Sequence, residues 1–510
     1  MSTPETDPLQ ARLQEFLRRN LEPGSGFIPQ VEQPAPPEQA QPPKPAAAFE
    51  FDLTPRQVKE HLDRFVIKQD EAKKVLAITV CDHYHHVQAA AQGTAVSNYI
   101  KQNVLVMGPT GVGKTYLVKC LAELIGVPMV RADATKFTET GYVGGDVEDL
   151  VRDLVTQAEG DKEIAQYGII YLDEVDKLAS SSVGTGRDVS GRGVQTNLLK
   201  LMEETEVPVR SQTDLQSQLQ AAMDFQRRGG KVKKETINTR HILFIVSGAF
   251  DKLPDIVKRR LSKAEIGFAA AARPERKVEE ILAEVGTRDL VDYGMEPEFV
   301  GRLPVRVACS ALGVEDLFAI LKQSEGSLVH QYEEAFRAYG IEVMFTDDGL
   351  HAIAKLAAEE QTGARGLVTV AERTLRPFKF ELPGSGVRRF VVHEALVRDP
   401  EAELKRILGD GRYEERLVMA EMAKQFAARF EEKHALRLEL APDALEALVE
   451  GALQANRNMR DHCALIFKDF EFGLKLVAKN SGQTAFAIDR GVIESPDQTM
   501  SRWVVDSYQR

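Results

Sequence analysis

Residues 108–115 read Gly-Pro-Thr-Gly-Val-Gly-Lys-Thr, a complete match to the phosphate-binding pattern G-x-x-x-x-G-K-[ST]. No other stretch restricts the fold of this chain as strongly. Such a loop joins a buried parallel strand to the first turn of a helix, so it prescribes an α/β domain with a parallel sheet flanked by helices. Val104-Leu105-Val106-Met107, directly before it, is an apolar run suited to that strand. The glycines at 108, 111 and 113 let the chain curl until backbone N–H groups converge on phosphate oxygens at the helix N-terminus. With Pro109, Thr110, Val112 and Tyr116, they form the expected nucleotide-binding segment. Lys114 is placed to reach the β- and γ-phosphates, and the Thr115 hydroxyl to ligate Mg²⁺. Further on, Ile169-Ile170-Tyr171-Leu172-Asp173-Glu174 is an apolar strand ending in two carboxylates. Asp173 is expected to hold the ion directly or through water, and Glu174 to polarise the attacking water. The order strand, loop, acidic strand predicts a nucleoside triphosphate with Mg²⁺ as cofactors and hydrolysis as the reaction.

Composition narrows the alternatives. A chain of 510 residues has room for two or three domains, and an apolar fraction of 43% is ample for packed cores. The net charge of −12 argues against a general nucleic-acid binder, so no specific nucleic acid is expected as a partner. Cys81, Cys120, Cys309 and Cys463 lie far apart with no C-x-x-C pair, which excludes a zinc knuckle and suggests reduced, buried thiols; no zinc is expected. No apolar run approaches membrane-spanning length and the N-terminus is polar, so the expected location is cytoplasmic, with no membrane partner.

Residues 1–49 stand apart, rich in Pro, Gln and Ala, and read as an extended tether. Within them Leu9, Leu13, Phe16 and Leu17 share one helical face, with Arg12, Arg18 and Arg19 elsewhere. Two readings stay open: a docking peptide that folds on an adaptor or other partner, or residual helicity in a tail. From residue 50 strands and helices alternate. Pro128-Met129-Val130 opens a second strand, followed by Gly141-Tyr142-Val143-Gly144. After the acidic strand, His241-Ile242-Leu243-Phe244-Ile245-Val246 ends at Ser247, a polar residue placed to orient water beside a γ-phosphate.

Over residues 51–400 the chain resembles the ClpX family of hexameric AAA+ protein unfoldases. The resemblance rests on Leu53-Thr54-Pro55, His61-Leu62-Asp63, Val66-Ile67-x-Gln69 and Ala132-Asp133-Ala134-Thr135. It continues through Arg187-Asp188-Val189-Ser190-Gly191, Pro297-Glu298-Phe299-Val300-Gly301-Arg302-Leu303-Pro304 and Thr362-Gly363-Ala364-Arg365-Gly366-Leu367. It implies that the nucleotide is ATP, with a large ATPase domain over 50–312 and a small α+β domain over 313–400. Val66 and Ile67 would pack on adenine, Arg302 would be an arginine finger entering a neighbour's site, and Arg365 would be the second sensor, beside Ser247 as the first. An arginine used in trans requires an oligomer, by resemblance a homohexamer. Tyr142, flanked by Gly141, Val143 and Gly144, would line a central pore and grip protein substrates by apolar contact. The second pore loop would fall at 187–193. Ile266-Gly267-Phe268 stands where the family carries the loop that docks a ClpP-like peptidase, several copies per ring gaining avidity.

The departures are as informative as the matches. The family's N-terminal zinc-binding domain gives way to the Pro-rich segment. Lys68 replaces a glycine after Val-Ile, and Arg192 replaces a glutamate in the second pore loop, favouring a positive ring there. Residues 207–240 are reworded, with the basic cluster Arg227-Arg228-Gly229-Gly230-Lys231-Val232-Lys233-Lys234 after the stripe Leu215, Leu219 and Met223. That cluster would favour acidic or C-terminal carboxylate signals at the pore mouth, unless it is only a solvated loop. Residues 401–510 exceed the family's length. Their pattern echoes residues 341–350 at 436–445, and an offset of 95 sets Arg460 opposite Arg365, although Gly363-Ala364-Arg365-Gly366 has become Asn458-Met459-Arg460-Asp461. They read as a degenerate copy of the small domain whose arginine is no longer catalytic, serving for docking or regulation. An unrelated α/β appendage is the alternative. The function implied is an ATP-driven unfoldase feeding a peptidase. A peptidase-independent remodeller of protein complexes is the alternative, and a nucleotide-switched scaffold the weakest fit.

Overall fold

The computed structural model describes residues 50–95, 99–137, 145–179, 189–209, 235–264 and 276–509. The expectations for the N-terminal segment, for Gly141, Tyr142, Val143 and Gly144, for Arg187 and Asp188, for the stripe at 215–223 and the basic cluster, and for Ile266, Gly267 and Phe268 lie outside these residues.

The strands of the first region are β1 (Val104–Met107), β2 (Met129–Asp133), β3 (Ile169–Asp173), β4 (Glu206–Pro208), β5 (Thr236–Asn238), β6 (Leu243–Gly248) and β7 (Val305–Ala308). Five of them form one parallel sheet ordered β2–β3–β6–β1–β7, and β4 pairs antiparallel with β5 beside it. Alternation assigns the faces. Leu105, Met107, Ile170, Leu172, Phe244 and Val246 enter one core, while Val104, Val106, Ile169, Tyr171, Leu243 and Ile245 enter the other. Both faces are covered, as a parallel sheet requires, and each such side chain contributes roughly 1.5–3 kcal/mol by leaving water. Because β1 lies between β6 and β7, the loop after β1 opens at the carboxyl edge of the sheet where the winding reverses, the usual ligand crevice of such sheets.

A second unit carries helices Val314–Gln323 and Leu328–Arg337, strand β8 (Glu342–Phe345), helices Asp347–Glu359 and Ala364–Glu381, and strand β9 (Arg389–Val392) parallel to β8. Helices Glu394–Arg398 and Pro400–Gly409 follow. The last of these buries Leu404 and Ile407 in the same core, so the unit extends beyond the Pro400 boundary expected from sequence.

Residues 413–509 then repeat the order. Helix Tyr413–His434 leads into β10 (Arg437–Leu440), helices Pro442–Gln454, Met459–Ile466 and Phe470–Ser481, β11 (Ala485–Ile488) parallel to β10, and helices Arg490–Glu494 and Pro496–Gln509. β10 starts 95 residues after β8, and β11 starts 96 after β9. The core here is separate, built around Leu438, Leu448, Phe467, Leu474 and Phe486. One difference stands out. The helix Ala364–Glu381 is continuous, whereas its positional counterpart breaks between Ile466 and Phe470.

Candidate active site

The loop between β1 and helix Lys114–Ile125 is shaped by its glycines. Gly108, Gly111 and Gly113 have φ of 140°, 75° and 96°, which side chains on L-residues rarely adopt. Space forbids a side chain as well. A Cβ on Gly108 would lie 2.5 Å from the Cys309 carbonyl oxygen, and one on Gly111 would lie 2.0 Å from that of Thr362. The backbone is therefore free to present its amides at the helix N-terminus. Lys114 is buried there, and its ammonium donates to the carbonyls of Gly108 (2.7 Å) and Pro109 (2.9 Å). Burial holds its pKa below the ordinary lysine value, opposed by Asp173, Cys309 and Asp176 and reinforced slightly by Arg365. A buried ammonium in this state gains from an added anion, which is the physical test that a polyphosphate satisfies.

Opposite the loop lies a polar network. The Thr115 hydroxyl donates to Asp173 Oδ2 (3.3 Å) and is 3.2 Å from the Tyr171 hydroxyl. Ser247 Oγ donates to Asp173 Oδ1 at 2.6 Å and lies 2.7 Å from the same tyrosine oxygen. Arg131 approaches Asp173 Oδ2 at 3.6 Å. Burial, with Asp173 nearby, pushes the Tyr171 pKa up to about 12, so it stays a neutral hydroxyl that orients its neighbours. Glu174 follows in a left-handed conformation, φ 58°, its N–H bonded to Asp173 Oδ1 at 3.1 Å and its side chain exposed toward the cleft. A left-handed backbone at a residue other than glycine is strained, and here the strain sits beside the site.

The cleft, about 570 Å³, is closed by the second unit. Val66 and Ile67, at the break between helices Pro55–Phe65 and Asp70–Ala91, line it together with Leu312, Ile320 and Val368. These apolar side chains suit a flat base, and the glycine loop suits phosphates. Thr54, whose hydroxyl caps helix Pro55–Phe65 in a capping box with Gln57, sets the helix that leads to Val66. Lys68 and Gln69 both have positive φ, 61° and 59°, and Lys68 Nζ bonds the Ala311 carbonyl (2.7 Å) and Asp316 (2.8 Å). Gln69 exchanges two hydrogen bonds of 2.8 Å with the backbone of Ser310. Arg64 grips Glu325 through both carboxylate oxygens, at 2.7 and 2.8 Å. At the phosphate end the Ala364 N–H donates to the Gly111 carbonyl (2.9 Å), and Arg365 lines the cleft. Tyr116 reaches the second unit at Gly326, where a Cβ would lie 2.5 Å from its hydroxyl.

Arg302 is elsewhere. It is exposed, absent from the lining of its own cleft, and paired with Glu203. Its carbonyl accepts from Asn103 Nδ2 at 3.1 Å, and Asn103 in turn takes the Phe244 N–H, tying this corner to β6. Arg192 sits in helix Val189–Met202 rather than in a loop, and pairs with Glu296 at 3.0 Å, so its charge is partly compensated. Sequence reasoning passed over three residues that share the site. Tyr171 could have been found as a hydroxyl two positions before Asp173, hence on the same sheet face. Asp176 is a third carboxylate three residues after Asp173; it is buried in the cleft with Oδ1 unpartnered. Arg131 had no local signal, because only the pairing of β2 with β3 brings it to Asp173.

All four cysteines are buried and unpaired. Among the described residues no helix is long and apolar enough to cross a membrane.

The same reading follows from comparison with known sequences. An AAA domain (Cdc48 subfamily) model matches residues 100–306. The ATP-dependent Clp protease ATP-binding subunit ClpX of Borrelia duttonii (strain Ly) is 40% identical over 357 residues, 69% of this chain and 80% of that protein. ClpX 3 of Methylococcus capsulatus is 42% identical over 354 residues, 66% and 79% of the two chains. ClpX of Treponema denticola is 38% identical over 360 residues, 69% and 83% respectively. Sheet order, glycine cradle, acidic network and shared sequence lead to one assignment: the chain belongs to the ClpX family and is an AAA+ ATPase.

Proposed function

We propose that this ATPase is a ClpX-type protein unfoldase and translocase, working as a homohexameric ring that threads substrates past Tyr142 toward a ClpP-like peptidase. The observation that carries the ring is the split between the two arginines. Arg365 lines the chain's own cleft, whereas Arg302 is braced outside it by Asn103 and Glu203. A guanidinium so placed serves a neighbour, and an arginine in trans is worth about 10³–10⁵ in rate in other nucleotide hydrolases. The names of the relatives, ATP-binding subunits of a Clp protease, support the peptidase partner.

Thr115 and Asp173 would hold Mg²⁺, which neutralises phosphate charge when bound. Lys114 and the loop amides bind phosphate oxygens, Val66 and Ile67 pack on the base, and Glu174 accepts a proton from water. Ser247 and Tyr171 fix the orientation of Asp173. The module expected over 401–510, which begins after helix Pro400–Gly409, is taken as a degenerate copy of the small domain, supported by the repeated element order.

Sedimentation with ClpP in a slowly hydrolysed ATP analogue tests the reading, beside an Ile266→Ala/Phe268→Ala double variant. A complex formed by wild type and lost in the variant is expected. ATP turnover and ring formation without any complex would replace the protease subunit with a stand-alone remodeller.

A further inference from the structure

The C-terminal unit has a cleft of its own, about 380 Å³, between helices Tyr413–His434 and Met459–Ile466 and the start of helix Phe470–Ser481. Its floor is aromatic. Phe426 stacks on Phe467 at 5.7 Å, and Phe430 lies against His434 at 4.7 Å. Phe430 and Phe467 are buried, while Phe426 stays half-exposed. Its rim is cationic. Arg429, Lys433, Arg460 and Lys468 are all exposed, and none makes an ion pair among the described residues. The rim's carboxylate, Glu471, is already engaged by Lys475 (2.7 Å) and lies 3.3 Å from His434.

The position of this cleft gives it meaning. Arg460 follows Arg365 by 95 residues and stands, like it, at the start of the helix after the first strand–helix pair. In the second unit that corner is covered, with Ala364 bonded to the Gly111 carbonyl. In the C-terminal unit it carries Asn458, which caps helix Met459–Ile466; Asn458 and Met459 face residues 385–389 of the second unit, and Arg460 alone of this turn reaches the aromatic cleft. Four free cations around an aromatic slot complement negative charge carried beside an apolar side chain, and a solitary phosphate would leave the slot unused.

The geometry points to a docking site for an acidic peptide segment of a partner or substrate protein, its carboxylates meeting Arg429, Lys433, Arg460 and Lys468 and an aromatic or aliphatic anchor entering beside Phe426. Binding here requires neither nucleotide nor the pore, so the site stands or falls separately from the unfoldase reading.

The test is fluorescence anisotropy on the full chain with a labelled eight-residue Asp/Glu peptide carrying one Phe and one Leu. Saturable binding is expected, weakening with salt, and falling about tenfold or more in Arg429→Glu/Arg460→Glu and in Phe426→Ala. Replacing the peptide's Phe and Leu by Gly should cost a similar factor. Circular dichroism and unchanged ATP turnover would show that the variants fold. Absence of saturable binding by wild type, or equal binding by folded variants, would overturn the site. So would a single-stranded oligonucleotide that binds through the same residues more tightly than the peptide, since it would make the cleft a polyanion site.

Discussion

The second unit and the C-terminal unit share an element order, yet one is built into the nucleotide cleft and the other is not. The difference sits in a single turn. Gly363, at φ 61°, lets residues 362–364 press against the phosphate loop so closely that a Cβ there would lie 2.7 Å from the Gly111 carbonyl oxygen. Asn458 occupies the matching turn with an ordinary extended backbone, φ −61° and ψ 138°, and spends its side chain on capping the next helix. Docking against a glycine loop is thus a property of turn chemistry and not of the fold that carries the turn.

The severest way to break this contrast is to spoil the close approach. Gly111→Ala adds a methyl that Thr362 leaves no room for, at a φ that alanine resists, and ATP turnover should fall about 10³-fold. Asn458→Gly, the converse change in the other unit, should leave turnover untouched in the same assay. Next in size, Arg365→Ala should lower kcat/KM about 10²-fold while Arg460→Ala leaves it within about twofold, as measured by steady-state phosphate release. Equal losses would mean that the C-terminal unit takes part in hydrolysis after all.

The seam between the two units gives a third, smaller effect. Glu414, at the start of helix Tyr413–His434, is buried near the edge of β9, and burial raises its pKa to about 8, opposed by the Val391 amide and reinforced by Glu403. Below about pH 4.5 the folded and unfolded states both hold the proton, and titration of the site leaves stability unchanged with pH. Between there and about pH 8 the folded state binds more proton, so stability falls as pH rises. Denaturant titrations across pH should show that slope, and Glu414→Gln should flatten it and stabilise the chain by about 1–2 kcal/mol at pH 8. A slope unchanged in the variant would assign it to other groups. The smallest effect is expected at the hinge. Lys68→Gly relieves a left-handed backbone but removes the bonds to Ala311 and Asp316, and the two should cancel to within about 1 kcal/mol in thermal unfolding.

These elements differ in how far the chain announces them. The sheet and its phosphate loop were legible because strand burial and glycine geometry are local. The repeated element order in the C-terminal unit was legible as an offset of 95, because apolar periodicity is set by packing and not by a site. Arg131 and the Lys68–Asp316 pair were not, since each depends on segments far apart in sequence meeting in space. Lys68 shows the limit well. Its left-handed backbone and the ion pair with Asp316 that holds it appear only in the fold.

The second unit holds the large one at both ends of the cleft, through Arg64 and Lys68 near the base and through Ala364 at the phosphate loop. Seen as mechanics, the nucleotide lies between the arms of a clasp whose two rivets belong to different bodies. Any load that turns one body against the other must strain a rivet, and by reciprocity it must change how tightly the nucleotide is held. In the translocating ring proposed above, resistance from a substrate would therefore be felt at the nucleotide cleft as a changed dwell time, without any separate sensor.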